Sequence, residues 1–136
     1  HDSGLACRLL GIEKPDQVVR HPQRGALFET WAIGEVLKER WAAGRDESLY
    51  FWRDNVGHEI DLLVPRGGRL QPVEIKSGAT LASDWFAGLD WWMQQAGDRG
   101  VSPALLYGGD TAAIRKGILG ECLWESDPSP KGGGNA

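Results

Sequence analysis

A β-hairpin is predicted at the centre of the chain by residues 57–76, which read GHEIDLLVPRGGRLQPVEIK. Two runs with β character flank the pair Gly67-Gly68, and such a pair between two strands is typical of a two-residue hairpin turn. If these glycines are the two central residues of the turn, the numbers of facing residues add up to 135. Asp61 then faces Glu74 across the hairpin.

The predicted pair of Asp61 and Glu74 needs a compensating partner. Residues that face each other share one face of a sheet, and like charges in facing positions destabilise it. A cation, a proton or a change of register removes this repulsion. We favour a divalent cation, because Mg²⁺ takes carboxylate oxygens as ligands.

The same face gains an ammonium group from Lys76, because residues two apart on a strand point the same way. Glu59 is predicted to face Lys76. These groups are suited to metal-assisted hydrolysis of a phosphodiester, in which the metal polarises the phosphate and lowers the pKa of a water molecule. The ammonium then orients the water or offsets developing charge. The opposite face carries residues suited to a core, namely Ile60, Leu62, Val64, Val73 and Ile75.

Pro72, in the second arm of the hairpin, complicates this register. Proline has no N–H to donate, so its nitrogen must face away from the paired strand or lie at a β-bulge. A bulge at this position would shift the facing partner of Asp61 by one residue and separate it from Glu74.

The strongest helical pattern covers residues 23–43, and Glu29 lies on its otherwise apolar stripe. A carboxylate on a buried stripe needs a partner. One interpretation is a structural salt bridge to a cation such as Arg24 or Arg53. The other is that Glu29 leans over the sheet toward the acidic pair and belongs to a functional site.

The rest of the chain is assigned from periodicity and turn residues. A strand is predicted at 48–53. We expect its aromatic residues Tyr50, Phe51 and Trp52 to build the core, and stacking on a nucleobase is the less favoured alternative. The other predicted elements are a helix at 5–10, a polar connection at 12–20, a helix at 85–96, a strand at 101–107, a short strand at 122–124 and a disordered tail from residue 126.

Length and composition indicate one soluble domain. The chain has 136 residues, which is long enough for a hydrophobic core. Of these residues, 41% are hydrophobic and 25% charged, and these fractions are ordinary for a soluble protein. No run reaches the apolar length that crosses a bilayer and no signal peptide is visible, so no membrane partner is expected. The two cysteines, Cys7 and Cys122, lack metal-ligand spacing and favour a reducing cytoplasm.

The net charge of the chain is −4, so the chain lacks the basic surface that is expected of a protein that binds duplex DNA tightly. Three local basic clusters exist, and we interpret them as solvated surface charges rather than phosphate contacts. They are Arg40 with Arg45, Arg66 with Arg69, and Arg115 with Lys116.

The order of several short motifs resembles known families. The chain has Asp61, then a hairpin, then Glu74-Ile75-Lys76. This order resembles the PD-(D/E)XK nuclease superfamily, whose core is a helix, three strands, a helix and a strand. Over residues 1–125 the chain is similar to the C-terminal domain, catalogued as of unknown function, of a prokaryotic family of AAA-type ATPases. The motifs that carry this second resemblance are Asp2-Ser3-Gly4-Leu5, Leu9-Leu10-Gly11, Arg24-Gly25-Ala26-Leu27-Phe28-Glu29, Trp52-Arg53-Asp54, Glu59-Ile60-Asp61 and Pro72-Val73-Glu74-Ile75-Lys76.

The resemblance implies an α/β fold with a restriction-endonuclease-like core of a helix, a three-stranded β-meander, a helix and a strand. Residues 1–20 are then a helix and linker to an ATPase domain that we expect to precede His1. Residues 21–125 are the nuclease-like domain, and residues 126–136 are the disordered tail. No Gly-rich loop ending in Lys-Ser or Lys-Thr occurs, so this segment is not expected to bind ATP.

Two functions remain open at this point. In the first, a domain dependent on Mg²⁺ or Mn²⁺ cleaves DNA. Asp61, Glu74 and the carbonyl of Ile75 bind the metal, Lys76 handles the attacking water and Glu29 assists. In the second, a non-catalytic accessory domain of the ATPase binds nucleic acid or protein, and the acidic site is only a cluster of paired charges. The complete set of four side chains favours the first function, and the low positive charge disfavours it.

Overall fold

A computed structural model describes residues 2–46, 48–110, 113–115 and 118–122. Within these residues the central element is a six-stranded sheet with strand order β1-β2-β3-β4-β6-β5. The strands are β1 (Tyr50–Arg53), β2 (Glu59–Arg66), β3 (Arg69–Lys76), β4 (Ala104–Tyr107), β5 (Ala113–Arg115) and β6 (Ile118–Cys122). The helices are α1 (Ser3–Leu9), α2 (Pro15–Arg20), α3 (Arg24–Ala42) and α4 (Ala87–Ala96).

The first three strands form an antiparallel meander, and β3, β4 and β6 are parallel neighbours. The chain passes from β3 to β4 through α4, after a 3-10 turn at Ser83–Phe86. The structure therefore contains a helix, three strands, a helix and a strand in the predicted order, and the mixed α/β fold class is confirmed. None of the described helices is both long and apolar enough to cross a lipid bilayer.

The predicted polar connection at 12–20 was wrong, since it contains α2. Pro15 is the first residue of this helix, where the missing N–H costs nothing and the fixed φ favours the helical backbone. The side chain of Gln17 accepts hydrogen bonds from the amides of Glu13 at 2.7 Å and Lys14 at 2.8 Å. These two local bonds, which depend on one glutamine, stabilise the start of the helix.

The end of the chain extends the predicted sheet. The strand predicted at 101–107 begins at Ala104, and β5 and β6 add an antiparallel pair beyond it. Of the predicted short strand at 122–124, Cys122 is the last residue of β6. Residues 123–124 and the tail predicted from 126 lie outside the described residues.

The hairpin has the predicted register. Gly67 and Gly68 have φ values of 57° and 81°, which a type I′ turn requires at both central positions. The paired positions run from Arg66 opposite Arg69 to Leu62 opposite Val73 without a shift.

Pro72 fits this register without a bulge. It faces Leu63 in the same unbroken series of pairs. In alternate pairs of an antiparallel ladder the N–H groups point away from the partner strand, so Pro72 costs β2 no hydrogen bond. On its other side, the pairing of β3 with β4 begins only at the next residue, Val73.

The sheet is covered on both faces, and each face has its own core. On the side of α3 the core consists of Ala32, Leu62, Val64, Val73, Ile75, Ala104 and Leu106. On the side of α4 it consists of Ile60, Leu63, Phe86, Leu89, Trp92 and Leu105. Ile60 was predicted to share a face with Leu62, and this was wrong.

A β-bulge in β2 explains the position of Ile60. Tyr50 of β1 pairs with Leu63, whereas Trp52 pairs with Ile60, so two steps along β1 match three steps along β2. The extra residue reverses the alternation of side chains. Asp61 lies within this irregular segment.

The aromatic residues of β1 do not build the core as predicted. Phe51 is 80% exposed and Tyr50 is 54% exposed, because β1 is an edge strand, whereas α3 packs on β3 and α4 packs on β2 and β3. Only Trp52 is half-buried, and its ring packs against that of Trp91 at a centroid distance of 5.2 Å.

Arg40 is not the solvated surface charge that we predicted, since it is only 5% exposed. Its Nε and Nη2 donate to the carbonyl and carboxylate of Asp46, at 3.1 Å and 3.0 Å. Its Nη1 donates to the carbonyl of Pro65 at 3.3 Å. The end of α3 is thereby fixed to the loop that follows it and to the far end of the hairpin.

The substitution Arg40→Met is expected to lower the free energy of unfolding by about 1–3 kcal/mol, because it leaves the partly buried carbonyl of Pro65 without this donor. Urea denaturation measures the change. Arg45→Met is the matched control, since Arg45 is an exposed arginine that lines a surface cleft together with Arg40. Equal effects of the two substitutions would contradict the anchoring role.

Candidate functional site

The backbone ladder of the hairpin stops at the residue that was predicted to bind metal. The last pair is Leu62 with Val73, and the next hydrogen-bonded pair in the series would join Ile60 to Ile75. Instead, the amide of Ile75 donates to the carboxylate Oδ2 of Asp61 at 2.7 Å. A side chain therefore replaces a backbone carbonyl as the acceptor, and the two arms of the hairpin separate here.

Glu74 lies next to this opening and is only 9% exposed. Its Oε1 forms an ion pair with Nζ of Lys76 at 2.6 Å. Its Oε2 is buried and has no hydrogen-bond partner among the described residues. Gly88, in the first turn of α4, lies close by, since a Cβ atom there would be 3.9 Å from this oxygen. A buried carboxylate oxygen without a partner requires an explanation such as a bound ion or water.

The acidic side chains at this site raise one another's pKa values. Burial is the main cause of the raised pKa of Glu29, of Asp61 and of Glu74, and the neighbouring carboxylates, including Glu59, add to it. For Lys76, burial lowers the pKa, but the bond to Glu74 and the surrounding negative charges together raise it. The lysine is therefore held as an ammonium beside carboxylates that are costly to ionise.

A groove of about 310 Å³ lies beside this cluster, and its lining residues do not include Glu74 or Lys76. Glu29 of α3 lines it together with Asp61 and Glu59 of β2. The other residues that line the groove are Phe51, Trp52, Arg53 and Ile60. The structure thus places Glu29 and Asp61 in one cavity, as the functional interpretation of Glu29 requires.

The arginines that were considered as structural partners of Glu29 bind elsewhere. Nη2 of Arg24 donates to the carbonyl of Ser77 at 2.5 Å. Nε of Arg53 donates to Oε2 of Glu59 at 2.9 Å, and Nη2 of Arg53 contacts the same oxygen. In the described part of the chain, Glu29 forms no ion pair.

Two details of the predicted site need correction. Glu59 does not pair with Lys76, because it faces Arg53 on the neighbouring strand and binds it. Asp61 and Glu74 do not form a regular ladder pair, because the bulge and the bond to Ile75 interrupt the ladder. Their carboxylates still interact, since the charge of Asp61 contributes to the raised pKa of Glu74.

The side chains fit a divalent cation only in part. Among the described residues, no group of three or more His, Cys, Asp or Glu side chains is arranged to hold a metal ion. The predicted ligand set contains two carboxylates and the carbonyl of Ile75, so it does not require such a group. The observation that favours a cation is the unpartnered Oε2 of Glu74.

The turn before β2 was given no role from the sequence, although Asp54 belongs to the motif Trp52-Arg53-Asp54. Asp54 accepts hydrogen bonds from the amides of Val56 and His58, both at 2.9 Å, and contacts the His58 ring at 2.7 Å. That ring stacks on Trp91 with a centroid distance of 4.0 Å and an interplanar angle of 6°. The turn residues Asp54 and Gly57 were the signal for this arrangement, which fixes the entry into β2.

Comparison with known proteins identifies the family. Residues 24–120 match the family described as "Domain of unknown function (DUF4143)". The chain belongs to this family. All four predicted catalytic side chains lie within the matched part of the DUF4143 domain.

The DUF4143 domain also has curated relatives in mycobacteria. It is 39% identical over 79 residues to Uncharacterized protein Rv2008c of Mycobacterium tuberculosis and to Uncharacterized protein Mb2031c of Mycobacterium bovis. The alignment covers 58% of this chain but only 17% of each relative. No solved structure matches the chain. The bacterial source of these relatives agrees with the predicted prokaryotic family.

The substitution Asp61→Ala is expected to lower the free energy of unfolding by about 1–3 kcal/mol, because the amide of Ile75 loses its acceptor. Asp61→Asn retains an acceptor oxygen and removes one negative charge, so its stability should stay close to that of the native chain. Urea denaturation in a chelator measures both values. Equal stabilities of the two variants would contradict the role of this hydrogen bond.

Without divalent cations, Glu74 should make the native chain less stable as the pH rises. Its pKa is raised above the ordinary value of 4.5, so between that value and its folded pKa the folded state binds more protons than the unfolded state. The free energy of unfolding then falls through this window and is independent of Glu74 below it.

Glu74→Gln should reduce this fall, as measured by urea denaturation at a series of pH values. Glu39→Gln is the matched control, because Glu39 is an exposed carboxylate on α3. A slope that is the same in the native chain and in Glu74→Gln would exclude Glu74 as its source.

Proposed function

We propose that this DUF4143 domain is a metal-dependent, nuclease-like domain that hydrolyses or binds DNA through its Asp and Glu-x-Lys site. The observation that carries the proposal is the buried Oε2 of Glu74, which has no partner among the described residues. It lies beside the ammonium of Lys76 and within the electrostatic influence of Asp61. A bound cation would account for this atom.

The arrangement of elements supports the same proposal. A helix, an antiparallel meander, a second helix and a parallel strand follow each other in the order of the restriction-endonuclease-like core. Asp61 comes from the second strand of the meander, and Glu74 and Lys76 come from the third. We therefore assign the domain to the PD-(D/E)XK superfamily as part of the proposal.

Asp61 and Glu74 are the side chains that would hold Mg²⁺ or Mn²⁺, with the Ile75 carbonyl as the third predicted ligand. When bound, the cation supplies charge compensation and polarisation of a phosphodiester oxygen. The raised pKa of Lys76 favours a role as a cation that offsets negative charge on the phosphate over a role as a general base. Glu29, which lines the groove from α3, adds a further negative charge that favours cation binding.

A specific observation also supports the alternative, a non-catalytic accessory domain that binds nucleic acid or protein. Lys76 is engaged by Glu74 at 2.6 Å and Asp61 by the amide of Ile75 at 2.7 Å. These bonds satisfy the site in part without any ligand. The net charge of −4 also disfavours tight binding of duplex DNA by this segment alone.

The larger protein is part of the proposal as well. We infer from the resemblance in the motifs that the domain belongs to a prokaryotic AAA-type ATPase and works in the cytoplasm. The aligned segment makes up only 17% of each mycobacterial relative, which leaves ample length for an ATPase domain in those proteins.

Binding of Mg²⁺ or Mn²⁺ to the folded chain should raise its melting temperature. A cation at about 100 times its Kd contributes roughly 2.7 kcal/mol when it binds only the native state. Differential scanning fluorimetry measures the shift. Glu74→Gln should abolish it and Glu39→Gln should retain it; a shift that survives in Glu74→Gln would place the cation elsewhere.

Cleavage of linear DNA in Mg²⁺ should fall roughly 10²- to 10³-fold in Lys76→Ala, by analogy with the loss of one charge-stabilising group in other enzymes. Lys38→Ala is the control, since Lys38 is an exposed lysine paired with Glu35 on α3. The melting temperature of each variant shows that it is folded. No cleavage and no metal-dependent shift in the native chain would support the accessory domain instead.

A further inference from the structure

Phe51 is an exposed aromatic residue at the edge of the acidic groove. Its side chain is 80% exposed, although aromatic side chains of this size normally lie in the protein interior. It lines the same groove as Glu29 and Asp61. Its neighbour Tyr50, which is also exposed, does not line this groove. Of the three aromatic residues of β1, Phe51 and Trp52 line the groove and Tyr50 does not. Trp52 is half-buried, so Phe51 is the exposed ring beside the proposed catalytic groups.

The size of the groove limits what can enter it. Its volume of about 310 Å³ lies at the lower end of the range of roughly 300–1,000 Å³ for ligand sites. This is the size of a site for one small ligand, such as a nucleotide, and not of a site that encloses a duplex. A base inside a duplex is stacked on its neighbours, so it offers no free face to an aromatic ring unless it is first unstacked.

The chemistry of the lining also suits a single nucleotide. Aromatic rings stack with any nucleobase because every base has a π-face. Arg53, which is paired with Glu59, lines the groove with a largely exposed guanidinium, and arginine is suited to contact phosphate. The acidic floor, formed by Glu29, Glu59 and Asp61, repels a phosphodiester unless a cation lies between them. The ring, the guanidinium and the cation would then contact the base, a phosphate and the cleaved bond.

We propose that Phe51 stacks on one unpaired nucleobase and that the acidic groove therefore acts on single-stranded or frayed nucleic acid. This inference rests on the proposed nuclease-like function and specifies its substrate class. Phe51 acts in binding and takes no part in bond cleavage. It provides an energetic preference for unpaired ends and single strands over the interior of a duplex.

The test compares Phe51→Ala, Phe51→Trp and Tyr50→Ala with the native chain. The probe is a fluorescent single-stranded oligonucleotide of mixed sequence, and a blunt duplex of the same sequence is the second ligand. Fluorescence anisotropy in Ca²⁺ gives the Kd for each, and cleavage in Mg²⁺ is followed in parallel. Sedimentation velocity reports whether the chains are monomers.

We expect Phe51→Ala to weaken single-strand binding roughly 5- to 150-fold, which corresponds to about 1–3 kcal/mol for the stacking of one base. Phe51→Trp should retain or improve the affinity, and Tyr50→Ala should leave it unchanged. The native chain should bind the blunt duplex more weakly than the single strand, and Phe51→Ala should change duplex binding little.

Other outcomes overturn the inference and separate its failure from that of the proposed function. If the native chain cleaves duplex DNA and Phe51→Ala behaves like it, the substrate class is wrong and the nuclease-like function stands. If the native chain binds neither ligand and cleaves neither, both fail. If Phe51→Ala converts a dimer to a monomer without a change in Kd, the exposed ring is a contact between two copies of the chain.

Discussion

The hydrogen bond from the amide of Ile75 to the carboxylate of Asp61 determines the geometry of the site. A regular hairpin would join the two strands through backbone groups along their whole length and would direct side chains only above and below the sheet. Here a β-bulge displaces β2, and the carboxylate turns toward the backbone of β3. The hairpin therefore opens where Glu74 and Lys76 lie, and Asp61 faces a groove instead of a flat sheet.

This geometry concentrates negative charge at a cost to the folded state. Glu29, Asp61 and Glu74 all have raised pKa values, chiefly because of burial. The ionised form of each carboxylate is therefore less stable in the folded protein than it would be in water. Lys76 offsets part of that cost through its ion pair with Glu74. Strain of this kind is common where a site is shaped for a ligand, although structural charge networks also produce it.

Much of the fold was predictable because local patterns and tertiary structure agree in the hairpin. Gly67 and Gly68 allow only a narrow choice of turn, and the turn then sets the register as far as Leu62 and Val73. The bulge was not predictable, since no glycine or proline marks it and it reflects how β1 packs on β2. The exposure of Phe51 also depends on tertiary structure, because sequence alone does not show which strand lies at the edge.

Gly88 shows how closely α4 approaches the acidic site. A methyl group at this position would be in ordinary van der Waals contact with Oε2 of Glu74 and, at 3.6 Å, with the carbonyl of Glu59. A side chain larger than a methyl group at this position would add further atoms close to that oxygen. The hydration of the carboxylate, and the room left for an ion beside it, thus depend on a residue with no functional group of its own.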